Sequence, residues 1–224
     1  MSAYLKLVLV AVIVSVIVPA GNIDRAHSQV KFTVTKWGFV EVEGRFEDFE
    51  GEIAFDRSAP EKSRVDWRVK IASVRTGEKN RDEGLQAREY FDATRFPELR
   101  FVSDRVRPGA DGALDVQGQL TMRGVTKPLT IRVASLGTHT VPHEGTFQMF
   151  RTDFTVNRYD FGIVGGSVLG PVISKDVNVR IVAAARAQQQ AANVVTNRRC
   201  LRPATFRRSL APTDRCRLVW SDDD

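Results

Sequence analysis

Apolar and polar residues alternate along most of the chain. Val30, Phe32 and Val34 alternate with Lys31, Thr33 and Thr35, and Val65, Trp67, Val69 and Ile71 with Asp66, Arg68 and Lys70. Leu129, Ile131 and Val133 alternate with Thr130 and Arg132, and Val177, Val179 and Ile181 with Asn178 and Arg180. Leu114, Val116, Leu120 and Met122 share one phase, with Gly118 between them. A period of two gives each strand one dry and one wet face. Antiparallel sheets read this way, whereas buried parallel strands read as unbroken apolar runs. Residues 45–55, 99–106 and 146–156 add further strands, for a total of about eight, a number that suggests a sandwich or barrel. Arg107-Pro108-Gly109-Ala110-Asp111-Gly112 is hairpin-turn chemistry between two of them. Residues 78–90 break the pattern: they are charged throughout, with Leu85 the main apolar residue, and predict a short helix lying over the sheet.

An eight-stranded barrel encloses either a packed interior or one small ligand. The apolar set contains 13 Phe against 3 Tyr and 3 Trp. Phe has no polar atom to satisfy, so it suits a dry cavity and a solid core equally. Packing statistics alone favour the solid core.

Two further segments flank the alternating region. Leu7 to Val18 is an apolar run interrupted only by Ser15, shorter than the roughly 20 residues that span a bilayer. With Lys6 before it and Val18-Pro19-Ala20 after it, the run fits a secretory signal over residues 1–20, cleaved after Ala20. An exported protein without a stable membrane span is then expected, periplasmic or secreted. At the other end, residues 186–224 open with a Gln/Ala stretch and continue as an arginine-rich tail carrying Cys200 and Cys216. The tail has too little apolar content for a core of its own and is expected to be disordered. In an oxidising compartment its cysteines could close a small loop.

This division changes the meaning of the charge. The chain carries 33 basic and 27 acidic residues, a net of +6, on its face a hint of nucleic acid. Between residues 22 and 185, however, 24 lysines and arginines face 23 carboxylates, and from residue 186 onward 8 face 4. The alternating region is almost neutral, and no nucleic-acid partner is expected.

Catalytic motifs are sparse. His139 and His143 are spaced for a helical metal site, but Pro142 lies between them, and a solvated loop is expected there. Residues 162–170 (GIVGGSVLG) are glycine-rich yet lack the Lys-Ser/Thr of a phosphate loop, and Gly124-Val125-Thr126-Lys127 resembles one only superficially. The chain contains no G-x-S-x-G elbow. Arg81-Asp82 are neighbours on the expected helix and point in different directions, so they form no acid–base pair.

Four segments in order resemble the YceI-like family of exported bacterial lipid-binding proteins. They are Ile23-Asp24-Arg25-Ala26-His27-Ser28 leading into Val30-Lys31-Phe32; Gly44-Arg45-Phe46-Glu47-Asp48-Phe49-Glu50-Gly51 running to Phe55-Asp56; Arg81-Asp82 with Leu85, Tyr90-Phe91-Asp92, Phe96-Pro97 and Phe101-Val102-Ser103; and the run from Gly118 to Pro128. Asp160-Phe161-Gly162 matches as well. The resemblance spans about residues 22–185 and is most specific in its fourth segment.

It implies an all-β fold, an eight-stranded antiparallel lipocalin-like barrel with a short helical insertion, carrying a polyisoprenoid or isoprenoid-quinone lipid in its interior. That reverses the expectation of a solid core. Such a chain needs only a dry tube, since burial of apolar surface is worth about 25 cal/mol per Å² before ordering costs. Phe32, Val34, Phe46, Phe55, Trp67, Phe101, Leu120 and Phe147 are the candidates for the lining, and Arg81 and Lys127 for a head-group mouth. No catalytic residue, metal or cofactor is expected, and a homodimer remains open. Many members carry a histidine where this chain has Lys36 and another where it has Gly84, so the head-group chemistry is expected to differ here. The two rival readings are an envelope interaction or stress protein with a filled barrel, and an enzyme acting on an isoprenoid lipid.

Overall fold

A computed structural model describes residues 21–167 and 170–186. The expectations for the leader, the tail beyond Arg186 and its cysteines lie outside them. Eleven antiparallel segments make one sheet: β1 (Gly21–Asn22), β2 (Gln29–Lys36), β3 (Val40–Phe46), β4 (Phe49–Ala54), β5 (Arg64–Lys70), β6 (Val74–Arg75), β7 (Glu98–Pro108), β8 (Leu114–Met122), β9 (Val125–Val141), β10 (Gly145–Asn157) and β11 (Asp176–Arg186). Their order is β1-β4-β5-β7-β8-β9-β10-β11-β2-β3-β6. The sheet curls because β3 and β4 are one strand bent at Glu47-Asp48: the first half pairs with β2, the second with β5. The Ile23–Ala185 bridge ties β1 to β11 across the seam. With β3–β4 counted as one strand and the two-residue pieces β1 and β6 set aside, eight strands form the barrel.

The strands follow the period-two pattern because its apolar phase faces inward. In β8 that phase is Leu114, Val116, Gly118, Leu120 and Met122, which register against Val133, Ile131, Leu129, Lys127 and Val125 of β9. The structure corrects two local expectations. His139 lies in β9 rather than in a loop, because that strand continues for 17 residues; only the turn that holds His143 leaves it. Arg186, assigned to the tail, is the last residue of β11.

The helix is α1 (Lys79–Gln86). Its sequence is free of β-branched residues, and the Glu78 carboxylate caps it by accepting the N–H groups of Asn80 (3.0 Å) and Arg81 (2.7 Å). Buried Asp82 anchors it from below by accepting the Thr76 backbone N–H at 2.8 Å and the Thr76 hydroxyl.

The segment Asp24–Ser28 fastens the seam. Asp24 N–H donates to Ala184 O (2.8 Å), the Ser28 hydroxyl accepts Ala184 N–H (2.9 Å), and Arg186 donates to the Asp24 carboxylate (2.9 Å). Burial raises the Asp24 carboxyl, but hydrogen bonds from His27 and Arg186 outweigh it and leave the group below its ordinary value.

Candidate functional site

The inward phases of the strands do not meet at the centre. They surround a cavity of about 600 Å³ that is lined mostly by Val, Ile, Leu and Phe. Apolar walls that never close on each other leave a volume suited to an apolar ligand.

Two glycines help hold the lumen open. Gly44 stands opposite Phe32 in the β2–β3 register, and a Cβ on it would overlap the Phe32 ring. A Cβ on Gly118 would lie 2.7 Å from the Phe101 ring. Each ring lies over the backbone of a neighbouring strand, a cross-strand arrangement that only glycine permits. Phe32 leans on Phe46, with centroids 5.5 Å apart, and Phe46 meets Phe91 edge-on at 6.2 Å. Phe55 meets Phe150 edge-on at 5.2 Å at the far end of the long β3–β4 strand. Trp67 stacks on Phe49 at 5.5 Å, and its buried indole N–H has no hydrogen-bond partner.

Seven of the eight proposed lining residues border this cavity: Phe32, Val34, Phe46, Phe55, Trp67, Phe101 and Leu120. Phe147 does not. In β10 the inward phase is Phe150, Thr152, Phe154 and Val156, and Phe147 belongs to the opposite phase. Its buried ring packs instead under the His27 ring (4.7 Å) and the Arg186 guanidinium (5.1 Å). Sequence reasoning missed Phe150 and Phe154 because 146–156 carries large apolar side chains in both phases. It missed Leu85, Tyr90 and Phe91 because they lie on or beyond the helix, where period two gives no signal.

Part of the polar lining gathers at one end, between the β2–β3 hairpin, α1 and residues 170–174. It includes Lys36, Thr76, Glu78, Asn80 and Arg81, with Gly84 beside them. Lys36 and Gly84, the two positions at which the resemblance implies a departure from the family pattern, both fall at this mouth. Arg81 is held there by Thr76, donating to its hydroxyl and its backbone carbonyl, both at 2.8 Å. Lys127, the other head-group candidate, does not line the cavity. It shares the face of Leu120, its register partner, but its side chain is exposed, with the ammonium in water.

Beneath the mouth, Arg158 is 6% exposed, and its guanidinium donates to the carbonyls of Ile163 (2.6 Å), Gly170 (2.7 Å), Ser174 (2.9 Å) and Ile173 (3.0 Å). It ties the glycine-rich loop to the barrel. Among the described residues, no group of three or more His, Cys, Asp or Glu could hold a metal ion. No helix among them is long and apolar enough to cross a membrane.

Comparison with known proteins fits this geometry. The YceI-like domain family matches residues 22–185. A protein designated UPF0312 from Pseudomonas savastanoi pv. phaseolicola is 32% identical over 152 residues, covering 68% of this chain and 79% of that one. Another from Pseudomonas fluorescens is 36% identical over 141 residues, covering 61% and 71%. Among solved structures, Burkholderia cenocepacia BcnA aligns with a TM-score of 0.65 at 24% identity, over 73% of this chain and 99% of that one. A mutant Campylobacter jejuni YCEI protein holding a monobromobimane guest aligns at 0.60 with 26% identity, over 67% and 88%. A polyisoprenoid-binding domain from Saccharophagus degradans aligns at 0.55 with 16% identity, over 76% and 100%.

Proposed function

The chain belongs to the YceI-like family, and from that premise we propose that it is a non-enzymatic carrier of a polyisoprenoid or isoprenoid-quinone lipid. The observation that carries this reading is the cavity: about 600 Å³ and predominantly apolar, with the hydroxyls of its buried wall residues Ser63 and Thr152 engaged by backbone groups and a charged cluster at its mouth. A prenyl tail presents nothing but apolar surface, so it needs no directional partner along the wall and gains about 0.8 kcal/mol per buried CH₂ before ordering costs. Its head group lies at the mouth, against Arg81 and Lys36. The naming of the Saccharophagus degradans relative as polyisoprenoid-binding supports the same ligand class. The leader at residues 1–20 supports export to the periplasm or beyond, where such a carrier would work without a stable membrane span. N-terminal sequencing of the secreted form tests the export step and should begin at Gly21.

The ligand itself is tested by purifying the exported protein, extracting it with organic solvent and analysing the extract by mass spectrometry. A stoichiometric prenyl lipid is expected. A protein that emerges empty and also fails to take up prenyl lipids would favour the filled-barrel interaction protein. Conversion of bound lipid with time would make it an enzyme.

A further inference from the structure

The mouth is rimmed by apolar surface that the barrel leaves uncovered. Five large hydrophobic side chains are exposed among the described residues, and four of them sit at this end. Trp37 (56% exposed) and Phe39 (78%) form the tip of the β2–β3 hairpin, while Tyr159 and Val164 (59%) belong to the segment that Arg158 holds in place.

The tip is fixed to the rim. Trp37 N–H donates to Val172 O at 2.8 Å, and Lys36 bridges to Ile173. Thr35 and Ser174 exchange two hydrogen bonds, of 3.0 and 2.7 Å. Trp37 has φ of 54°, a left-handed conformation that Gly, Asn or Asp adopt readily and that is a clear outlier for a bulky side chain. The position therefore carries a residue unfavourable for the turn and unfavourable in water. Strain of this kind persists where function uses it.

The surrounding charge suits one kind of surface. The Lys36 ammonium lies 4.0 Å from the centroid of the Trp37 ring, so an aromatic and a cation share the tip. Among the described residues, Lys36, Arg81 and Lys175 make no ion pair with a carboxylate. Exposed Trp and Phe flanked by unpaired Lys and Arg match the interface of an anionic bilayer, where the rings sit at headgroup depth and the cations meet phosphate.

We propose that the Trp37–Phe39 tip docks the mouth reversibly on an anionic lipid bilayer, with Lys36, Arg81 and Lys175 on the headgroups. The purpose of docking, exchange of a bound lipid with the membrane, rests on the carrier reading; the docking itself is measured separately.

The test is flotation of the full mature chain with phosphatidylcholine vesicles, with and without phosphatidylglycerol, for the wild type and for a Trp37→Asn/Phe39→Ser double variant. The wild type should float with phosphatidylglycerol vesicles. The variant should lose about tenfold or more of that partitioning. Its melting temperature should be unchanged or raised, since Asn suits the φ of residue 37, and it should still take up a prenyl lipid from detergent solution. Equal flotation of the two proteins would overturn the proposal. So would a wild type that ignores vesicles but forms a dimer the variant cannot form, because the tip would then be covered by a second copy. A wild type that floats, with the variant failing, but never takes up prenyl lipid would uphold the docking surface and remove the carrier reading.

Discussion

Replacing Val133 by Phe separates an open barrel from a filled one by the sign of two effects. Val133 lies on the inward phase of β9, between Leu114 and Thr152 in the register, is half-buried and borders the cavity. Phe adds about four carbon atoms; at the volume share of a water molecule, roughly 30 Å³ each, they fill about a fifth of the 600 Å³. A bound prenyl chain must then withdraw about as many carbons. At about 0.8 kcal/mol each, that forfeits ~3 kcal/mol, of which about 1 kcal/mol returns because the displaced carbons need no ordering. The net of about 2 kcal/mol weakens binding roughly 30-fold. The ligand-free protein should meanwhile gain up to about 1 kcal/mol in stability, since the new ring buries apolar surface in empty space. In a filled core the same ring would be overpacked and would cost about 1–3 kcal/mol. Titration with a prenyl lipid and urea unfolding of the delipidated protein read the two quantities. A variant destabilised by about 1 kcal/mol or more, with binding unchanged, would refute the open lumen.

Other positions give separate checks. Gly44→Ala should push the Phe32 ring off the wall, lowering stability by about 1–3 kcal/mol and reducing lipid capacity in the same titration. Arg158→Met leaves the carbonyls of Ile163, Gly170, Ile173 and Ser174 without their donor; at about 1–3 kcal/mol for each buried acceptor left unsatisfied, a loss of about 3 kcal/mol or more in urea unfolding is expected, and Arg158→Lys should restore only part of it because a lysine cannot span all four acceptors. On the outer wall, hydrogen bonds from the Arg100 guanidinium hold the Asp66 carboxyl below its ordinary value. A group depressed on folding contributes stability that is complete above the unfolded value near pH 4 and lost as pH falls through the lower folded value. Asp66→Asn should therefore flatten the decline of melting temperature below about pH 4 and leave its neutral-pH slope alone; an unchanged acid slope would show that the pair contributes nothing.

The fold was legible because one rule, alternation, governs almost every strand from Gln29 to Arg186. The errors arise where that rule is silent or doubled. Phe147 and Phe150 occupy opposite phases of one strand, and only the register with β11 says which enters the lumen. In β9, Leu136 is an extra residue between the partners of Met149 and Phe150, so counting by twos through that strand loses the phase. The mouth was the least legible part. Lys36, Arg81 and Ile173 meet there from three separated stretches of chain, and a charged residue in a hairpin looks the same whether it rims a cavity or open water.

Whether the barrel is hollow is the harder matter, since the same Phe, Val and Leu residues line a lumen or fill a core. The distinguishing residues are the ones with no side chain. An inward glycine in a strand removes a wall group and weakens the strand, so it needs a partner that benefits. At Gly44 the partner is Phe32, directly across the ladder, and at Gly118 it is Phe101, on the adjacent strand. A ring that lies down over a glycine spends its bulk along the wall, whereas the same ring beside a Cβ would stand up into the centre. Inward glycines registered beside phenylalanines are thus a sequence sign of an open barrel, and it becomes readable once the strand pairing is known.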